Sequence, residues 1–169
     1  HAKGMTELSP AEFEVAAEVS NALILDTRDS GAFSKGYIPQ SVNIGLNGDF
    51  APWVGALIVD VEQPILLVTE PGKEADSVTR LSRVGFDNVI GFLKGGFAAW
   101  VEAGMEVDTV DRITANQFAG KFDAQNSVVI DVRKETEYAA EHVEDAYSKP
   151  LALINDWIKD IQPDQHFFL

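Results

Sequence analysis

Pro64-Ile-Leu-Leu-Val-Thr-Glu-Pro-Gly-Lys-Glu-Ala75 is the stretch on which the fold turns. Ile65 to Val68 is a short, wholly apolar run, which predicts a strand buried on both faces of a parallel sheet. Glu70-Pro71-Gly72 then supplies the chemistry of a tight turn. From Lys73 the spacing becomes helical, with Ala75, Val78, Leu81 and Ser82 on one side and Lys73, Asp76, Arg80 and Arg83 largely off it. A strand that turns sharply into a helix aims backbone N–H groups into the turn. That geometry can hold an anion and activate a nucleophile at the strand end.

Outward from this stretch, strands and helices alternate. Ser9-Pro-Ala-Glu12 starts a helix, with Ser9 as N-cap, Pro10 in the first helical position and Glu12 closing a capping box. Ala22 to Leu25 is an apolar strand ending in Asp26-Thr27-Arg28. A short helix over 29–36 with Phe33 inward, a second short strand near Ile44 and a helix over 49–59 follow. Beyond the central unit, Asn88 to Phe92 is a further strand, and Gly95-Gly96 opens a helix running to Gly104. The alternation predicts an α/β three-layer sandwich with a mainly parallel five-stranded sheet, closing near Asp108. Trp53, Trp100 and Trp157 fall on apolar helix faces and are expected to pack in the core.

The pattern then starts again, at an offset of 105 residues. Val129-Ile-Asp-Val-Arg133 repeats the strand ending in Asp26-Thr27-Arg28, Phe33 pairs with Tyr138, Ile38 with Val143, Ser41 with Ala146 and Leu46 with Leu151. A repeat of this length means tandem domains rather than a solenoid, whose periods are about 20–50 residues. The expected domains are 1–109 and 110–169, the second being the front part of another copy. In it Thr114 caps a helix, 151–161 is a long helix, and Gln165 to Leu169 begins the central strand. A fragment of that size is near the limit for folding alone, so residues 110–169 are expected to be ordered only by packing on another body.

Bulk properties narrow the function. The net charge of −14 argues against nucleic acid, which is bound by neutralising phosphates, and more mildly against small anionic substrates. An acidic surface also serves plain solubility. No apolar run reaches the roughly 18 residues of a membrane span, and no signal-peptide pattern opens the chain. The expected location is the cytoplasm. The start, His1-Ala-Lys-Gly-Met5, reads as a cut from a longer protein or a tag remnant. With no cysteine, disulfides, thiolate catalysis and cysteine-based metal sites are excluded within these residues. His1, His142 and His166 show no ligand spacing, and neither metal nor cofactor is expected.

Leu25-Asp-Thr-Arg28, Gly36-Tyr-Ile-Pro39, Ser41-Val-Asn-Ile44, Arg83-Val-Gly-Phe86 and Leu93-Lys-Gly-Gly-Phe97 with Trp100, in this order, resemble the rhodanese, or sulfurtransferase, superfamily. The resemblance covers nearly all of residues 8–108, and Val129 to Arg133, Tyr138 and His142-Val143 extend it into the second half. It implies a catalytic cysteine at the end of the central strand, followed by a loop of roughly Cys-x-x-Gly-x-Arg/Lys-Ser/Thr whose N–H groups hold a persulfide. Here that loop is Thr69-Glu-Pro-Gly-Lys-Glu-Ala75. Thr69 stands at the nucleophile position without a neighbouring base. Pro71 removes a donor, Glu70 and Glu74 add negative charge, and Ala75 lacks the hydroxyl. Gly72 is kept, and Lys73 stands one place before the family's basic position, which Glu74 occupies. The loop therefore reads as a remnant of a binding loop, with no catalytic residue. Asp26 with Arg28, and Asp131 with Arg133, read as strand-end structural ties.

Gly45 to Gly55 and Pro64 to Glu74 are further similar to tandem rhodanese regions that follow a metallo-β-lactamase-fold hydrolase of the persulfide dioxygenase and glyoxalase II type. That likeness implies an inactive scaffolding module whose partner is its own upstream domain or another protein domain, with a homo-oligomer also admitted. Two other readings stay open: part of an active sulfurtransferase with its cysteine beyond residue 169, and a region of a metal-dependent hydrolase with its active site upstream.

Overall fold

The structure, a computed structural model, describes residues 5–123, 126–162 and 165–169. The opening residues 1–4, read above as a cut or tag remnant, lie outside them. The chain forms two compact units, the first running to Arg112 and the second from Ile113, three residues later than the boundary expected from the repeat.

In the first unit, β1 (Glu7–Leu8), β2 (Leu23–Asp26), β3 (Val42–Asn43), β4 (Ile65–Val68) and β5 (Val89–Leu93) build one sheet in the order β1-β5-β4-β2-β3. Every pairing is parallel. β4 lies in the middle, with Ile24 opposite Leu66 on one side and Phe92 opposite Leu67 on the other. Its apolar run follows from this position: Ile65 and Leu67 face one layer, Leu66 and Val68 the other, and all four are fully buried. Removing such side chains from water contributes about 1.5–3 kcal/mol each.

The first layer is α3 (Phe50–Leu57) and α4 (Glu74–Ser82), which bring Phe50, Val54 and Leu81 onto Leu25, Ile65 and Leu67. The second is α1 (Pro10–Ser20) and α5 (Gly96–Glu102), which bring Phe13 and Trp100 onto Leu66, Val68 and Leu93. The Phe13 and Trp100 rings meet edge to face at 6.1 Å. Trp53 is only half-buried, at the rim of the first layer. The capping box of α1 forms as its sequence predicts, with the Ser9 hydroxyl accepting from the Glu12 N–H and the Glu12 carboxylate accepting from the Ser9 N–H. A fifth helix, the short α2 (Ser30–Lys35), is capped by Asp29, and Phe33 stacks on Tyr37 at 4.3 Å.

β1 is absent from the sequence-based strands because two residues carry no periodicity. It fits where Gly91 lacks a side chain, since a Cβ there would come within 2.9 Å of the Thr6 carbonyl. The expected inward face of α4 also needs correction. Ala75 is exposed and Ser77 is fully buried, because the Ser77 hydroxyl donates to the Lys73 carbonyl at 2.8 Å and turns inward with it.

The second unit contains α6 (Ala115–Lys121), β6 (Ile130–Asp131), α7 (Glu135–Ala140), β7 (Tyr147–Ser148) and α8 (Ile154–Trp157). β6 pairs with β7 in parallel, and Phe168 bridges to Val129, also in parallel. The long helix expected over 151–161 is broken: 151–153 and 158–160 are 3₁₀ turns on either side of the four-residue α8. The Trp157 indole N–H donates to the Pro150 carbonyl and draws the segment back on itself.

Candidate functional site

The turn between β4 and α4 places each of its residues differently. Thr69 directly follows the strand and is 4% exposed. The chain then closes a turn in which the Lys73 N–H donates to the Glu70 carbonyl at 3.0 Å, with Gly72 at φ +80°. That left-handed conformation is what the glycine is for. Pro71 offers no N–H, and the Gly72 N–H donates to a carboxylate oxygen of Glu74 at 3.2 Å. Of the donors a bound anion would need, one is missing and one is held by the protein's own carboxylate. Glu70, Lys73 and Ala75 point to solvent.

Behind the turn, β2 and α4 are laced to β4 by hydroxyls. The Thr27 hydroxyl lies 3.4 Å from the Val68 carbonyl and 3.3 Å from the Ser77 hydroxyl, its single proton serving one of them. Arg80, paired with Asp76 at 3.0 Å, donates to the Leu46 carbonyl at 2.7 Å and ties α4 to the loop after β3. From the other side Gly96 presses on the turn, where a Cβ would stand 3.2 Å from the Thr69 carbonyl. Gly95 and Gly96, both at positive φ, let the β5–α5 connection come that close. Sequence reading missed Thr27, Ser77 and Gly96 as parts of this turn. Only the paired glycines carried a signal, and it pointed to a helix start.

Asp26 and Arg28 make a bidentate pair at the end of β2. Arg28 Nε lies 3.0 Å from Oδ1 and Nη2 2.6 Å from Oδ2, and Nη2 also donates to the Gly36 carbonyl at 2.9 Å. The guanidinium sits 4.1 Å above the Phe97 ring. Asn43 closes the group, its amide donating to the carbonyls of Asp26 and Arg28. In the second unit Arg133 repeats the pattern, with Nη2 2.6 Å from Asp131 Oδ2 and 2.8 Å from the Glu141 carbonyl. The hydrogen bond from Arg133 holds the Asp131 carboxyl below its ordinary range, and Asp131 in turn raises Arg133. His142 stacks on Tyr138 at 3.8 Å, and its Nδ1 lies 2.7 Å from the Tyr138 carbonyl. Among the described residues no three histidine, aspartate or glutamate side chains gather as a metal site.

The central parallel strand, the sharp turn into α4 and the Asp–Arg tie beside it define a rhodanese-like domain. The family description "Rhodanese-like domain" matches residues 9–103, and the chain belongs to that family. Among curated proteins it is similar to the thiosulfate sulfurtransferase GlpE of Shewanella oneidensis, 32% identical over 97 residues, which is 57% of this chain and 92% of the relative. The GlpE of Actinobacillus pleuropneumoniae is 28% identical over 105 residues, 62% of this chain and 94% of its own. Two solved structures share the fold. A rhodanese-like domain from an Anabaena protein superposes with a TM-score of 0.54 at 21% identity, covering 67% of this chain and 86% of that one. A thiosulfate sulfurtransferase from Pseudomonas aeruginosa gives 0.54 at 20% identity, covering 96% of this chain and 35% of that one.

Proposed function

We propose that this chain is a catalytically inactive rhodanese-like module that scaffolds or docks a partner in sulfur metabolism. The observation that carries the reading is the β4–α4 turn. The residue after its strand is a threonine and not a cysteine, and its Gly72 N–H is engaged by Glu74. Sulfur transfer by this family's route needs a thiolate to carry the intermediate, and the 169 residues contain no cysteine. The partner is its own upstream domain or another protein domain, in the cytoplasm. No described helix is long and apolar enough to cross a membrane. The setting we propose is a fusion with a metallo-β-lactamase-fold hydrolase, a reading supported by the likeness of Gly45 to Gly55 and Pro64 to Glu74. Residues 110–169 are proposed as the front part of a second copy, on the shared Asp–Arg tie and the parallel pairing of Val129 with Phe168.

The test is a thiosulfate-to-cyanide turnover assay on the purified chain. No rate above the uncatalysed one is expected. Thr69→Cys should restore little, since Glu70 and Glu74 beside a new thiol raise its pKa and repel the substrate. Turnover by the unaltered chain that disappears on changing Thr69 would overturn the reading.

The likeness to thiosulfate sulfurtransferases favours a second reading, in which the chain is part of an active sulfurtransferase whose cysteine lies beyond residue 169. Activity of a longer parent, lost on replacing such a cysteine, would support it.

A further inference from the structure

Asn47 and Gly48 stand in the loop between β3 and α3, and both are exposed. The loop is anchored on either side of them. Leu46 is buried, its N–H donates to the Thr27 carbonyl at 3.2 Å, and its carbonyl accepts from Arg80 at 2.7 Å. Phe50 is buried in the same core cluster and begins α3, its N–H donating to the Gly48 carbonyl at 3.0 Å. Between these anchors the chain is unheld. Gly48 lies at φ +100° with open space where a side chain would stand. Among the described residues, neither its N–H nor the Asn47 carboxamide makes a hydrogen bond.

An asparagine followed by glycine is the pair in which a peptide nitrogen most readily reaches the side-chain carbonyl before it, since glycine has no Cβ to block the approach. Other asparagines are guarded at the nitrogen, the side chain or both. The Asn43 amide is spent on the Asp26 and Arg28 carbonyls, and the Ile44 N–H on the Asp26 carbonyl. Asn126 donates to the Asp123 carboxylate, while the Ser127 N–H donates to the Asp123 carbonyl. The Asn88 amide donates to the Glu62 carbonyl, and the Ala22 N–H after Asn21 donates to the Ala17 carbonyl.

We infer that Asn47 is a self-modification site, deamidating through a succinimide closed with Gly48. The Gly48 nitrogen gives its proton to solvent and bonds to Asn47 Cγ. The Cγ–Nδ2 bond breaks, and the nitrogen takes up a proton and leaves as ammonia. Water then opens the ring at one carbonyl or the other. One product is aspartate on the original backbone. The other is isoaspartate, whose main chain runs through the former side chain and is one atom longer. Nothing is oxidised or reduced, and each product adds one negative charge. Isoaspartate also leaves its α-carboxylate free, the group that a protein-isoaspartate methyltransferase esterifies from S-adenosylmethionine, so the exposed loop offers that class of enzyme a substrate. The longer main chain must fit between Leu46 and Phe50, whose places the core fixes. Aspartate adds only a charge at the surface, whereas isoaspartate strains the ties to Thr27, Arg80 and the start of α3.

The experiment ages the full chain in neutral and in mildly alkaline buffer and reads it by peptide mass mapping. A gain of about one mass unit, placed on Asn47 by fragmentation, should appear before any gain on another asparagine. It should come faster in the alkaline buffer, because the attacking nitrogen must lose its proton. Methyl transfer from labelled S-adenosylmethionine by a protein-isoaspartate methyltransferase should rise in step with it. Asn47→Gln, whose longer side chain would need a larger ring, should lose the mass gain at position 47 and most of the methyl transfer. No gain at Asn47, an earlier gain at another asparagine, or methyl transfer to aged Asn47→Gln equal to that of the unaltered chain would each overturn the site. The isoaspartyl form, separated from the aged sample, should unfold at lower urea than Asn47→Asp, which carries the same charge on a normal backbone. Equal midpoints would overturn the strain assigned to the two anchors while leaving the modification standing.

Discussion

Arg28 and Arg133 make the same bonds to aspartate and to a backbone carbonyl, yet one pair is sunk in the protein and the other lies at its surface. Two charges taken out of water depend on each other, and removing one leaves the other without its compensation. Arg28→Ala should therefore cost about 3–5 kcal/mol of unfolding free energy, because Asp26 stays fully buried without a partner. Arg133→Ala should move the urea midpoint far less, since water screens that pair and takes over its hydrogen bonds. Equal losses in the two variants, read from urea titrations, would show that burial is not what separates them. Both pairs were legible from their spacing at strand ends. Their difference was not, because it depends on Phe97, 69 residues from Arg28 in the chain, which no local pattern connects to it.

Among the elements, the β4–α4 turn shows where sequence reasoning works and where it stops. The apolar run, the glycine and the helix after it are local signals, and strand, turn and helix all lie where those signals put them. Two features escaped: the inward Ser77, since a serine at that spacing reads as polar surface, and the packing of Gly96 beneath the turn. Gly96 allows a direct trial of the second. At φ +62° an alanine is strained, and its Cβ would press on the Thr69 carbonyl. Gly96→Ala should destabilise the first unit by about 1–3 kcal/mol. It should also shift the amide resonances of residues 69–73, which a purely local strain at the start of α5 would leave in place. In the second unit the helix over 151–161 failed as an expectation because its apolar periodicity says nothing about the Pro150 carbonyl taking the Trp157 N–H.

At the scale of the whole molecule, the two units differ in how much core they own. Among the described residues, the buried apolar side chains of the second unit are Val129, Ile130, Ala146 and Trp157, whereas the first fills both faces of its sheet. The cost in conformational entropy rises with every ordered residue and burial must offset it, so the unit with less core opens first. Native-state hydrogen exchange on the full chain should show Ile130, Tyr147 and Phe168 exchanging through openings of lower free energy than Ile65 to Val68. Matching values would mean that the chain opens as one cooperative body. The class of fold and its central strand were readable in advance, since they rest on short-range periodicity. The edge strand β1 was not, since it is decided by packing across the sheet.

The two rims of the first sheet, β1 and β3, are only two residues long, and on β3 the side chain of Asn43 is spent on the Asp26 carbonyl at the end of β2 and the Arg28 carbonyl just past it. A rim so brief gives a foreign strand almost nothing to zip onto. Cross-β growth, which feeds on long flat borders, has no purchase there. For a concentrated protein that is a form of hygiene: the apolar sheet stays private to its own fold.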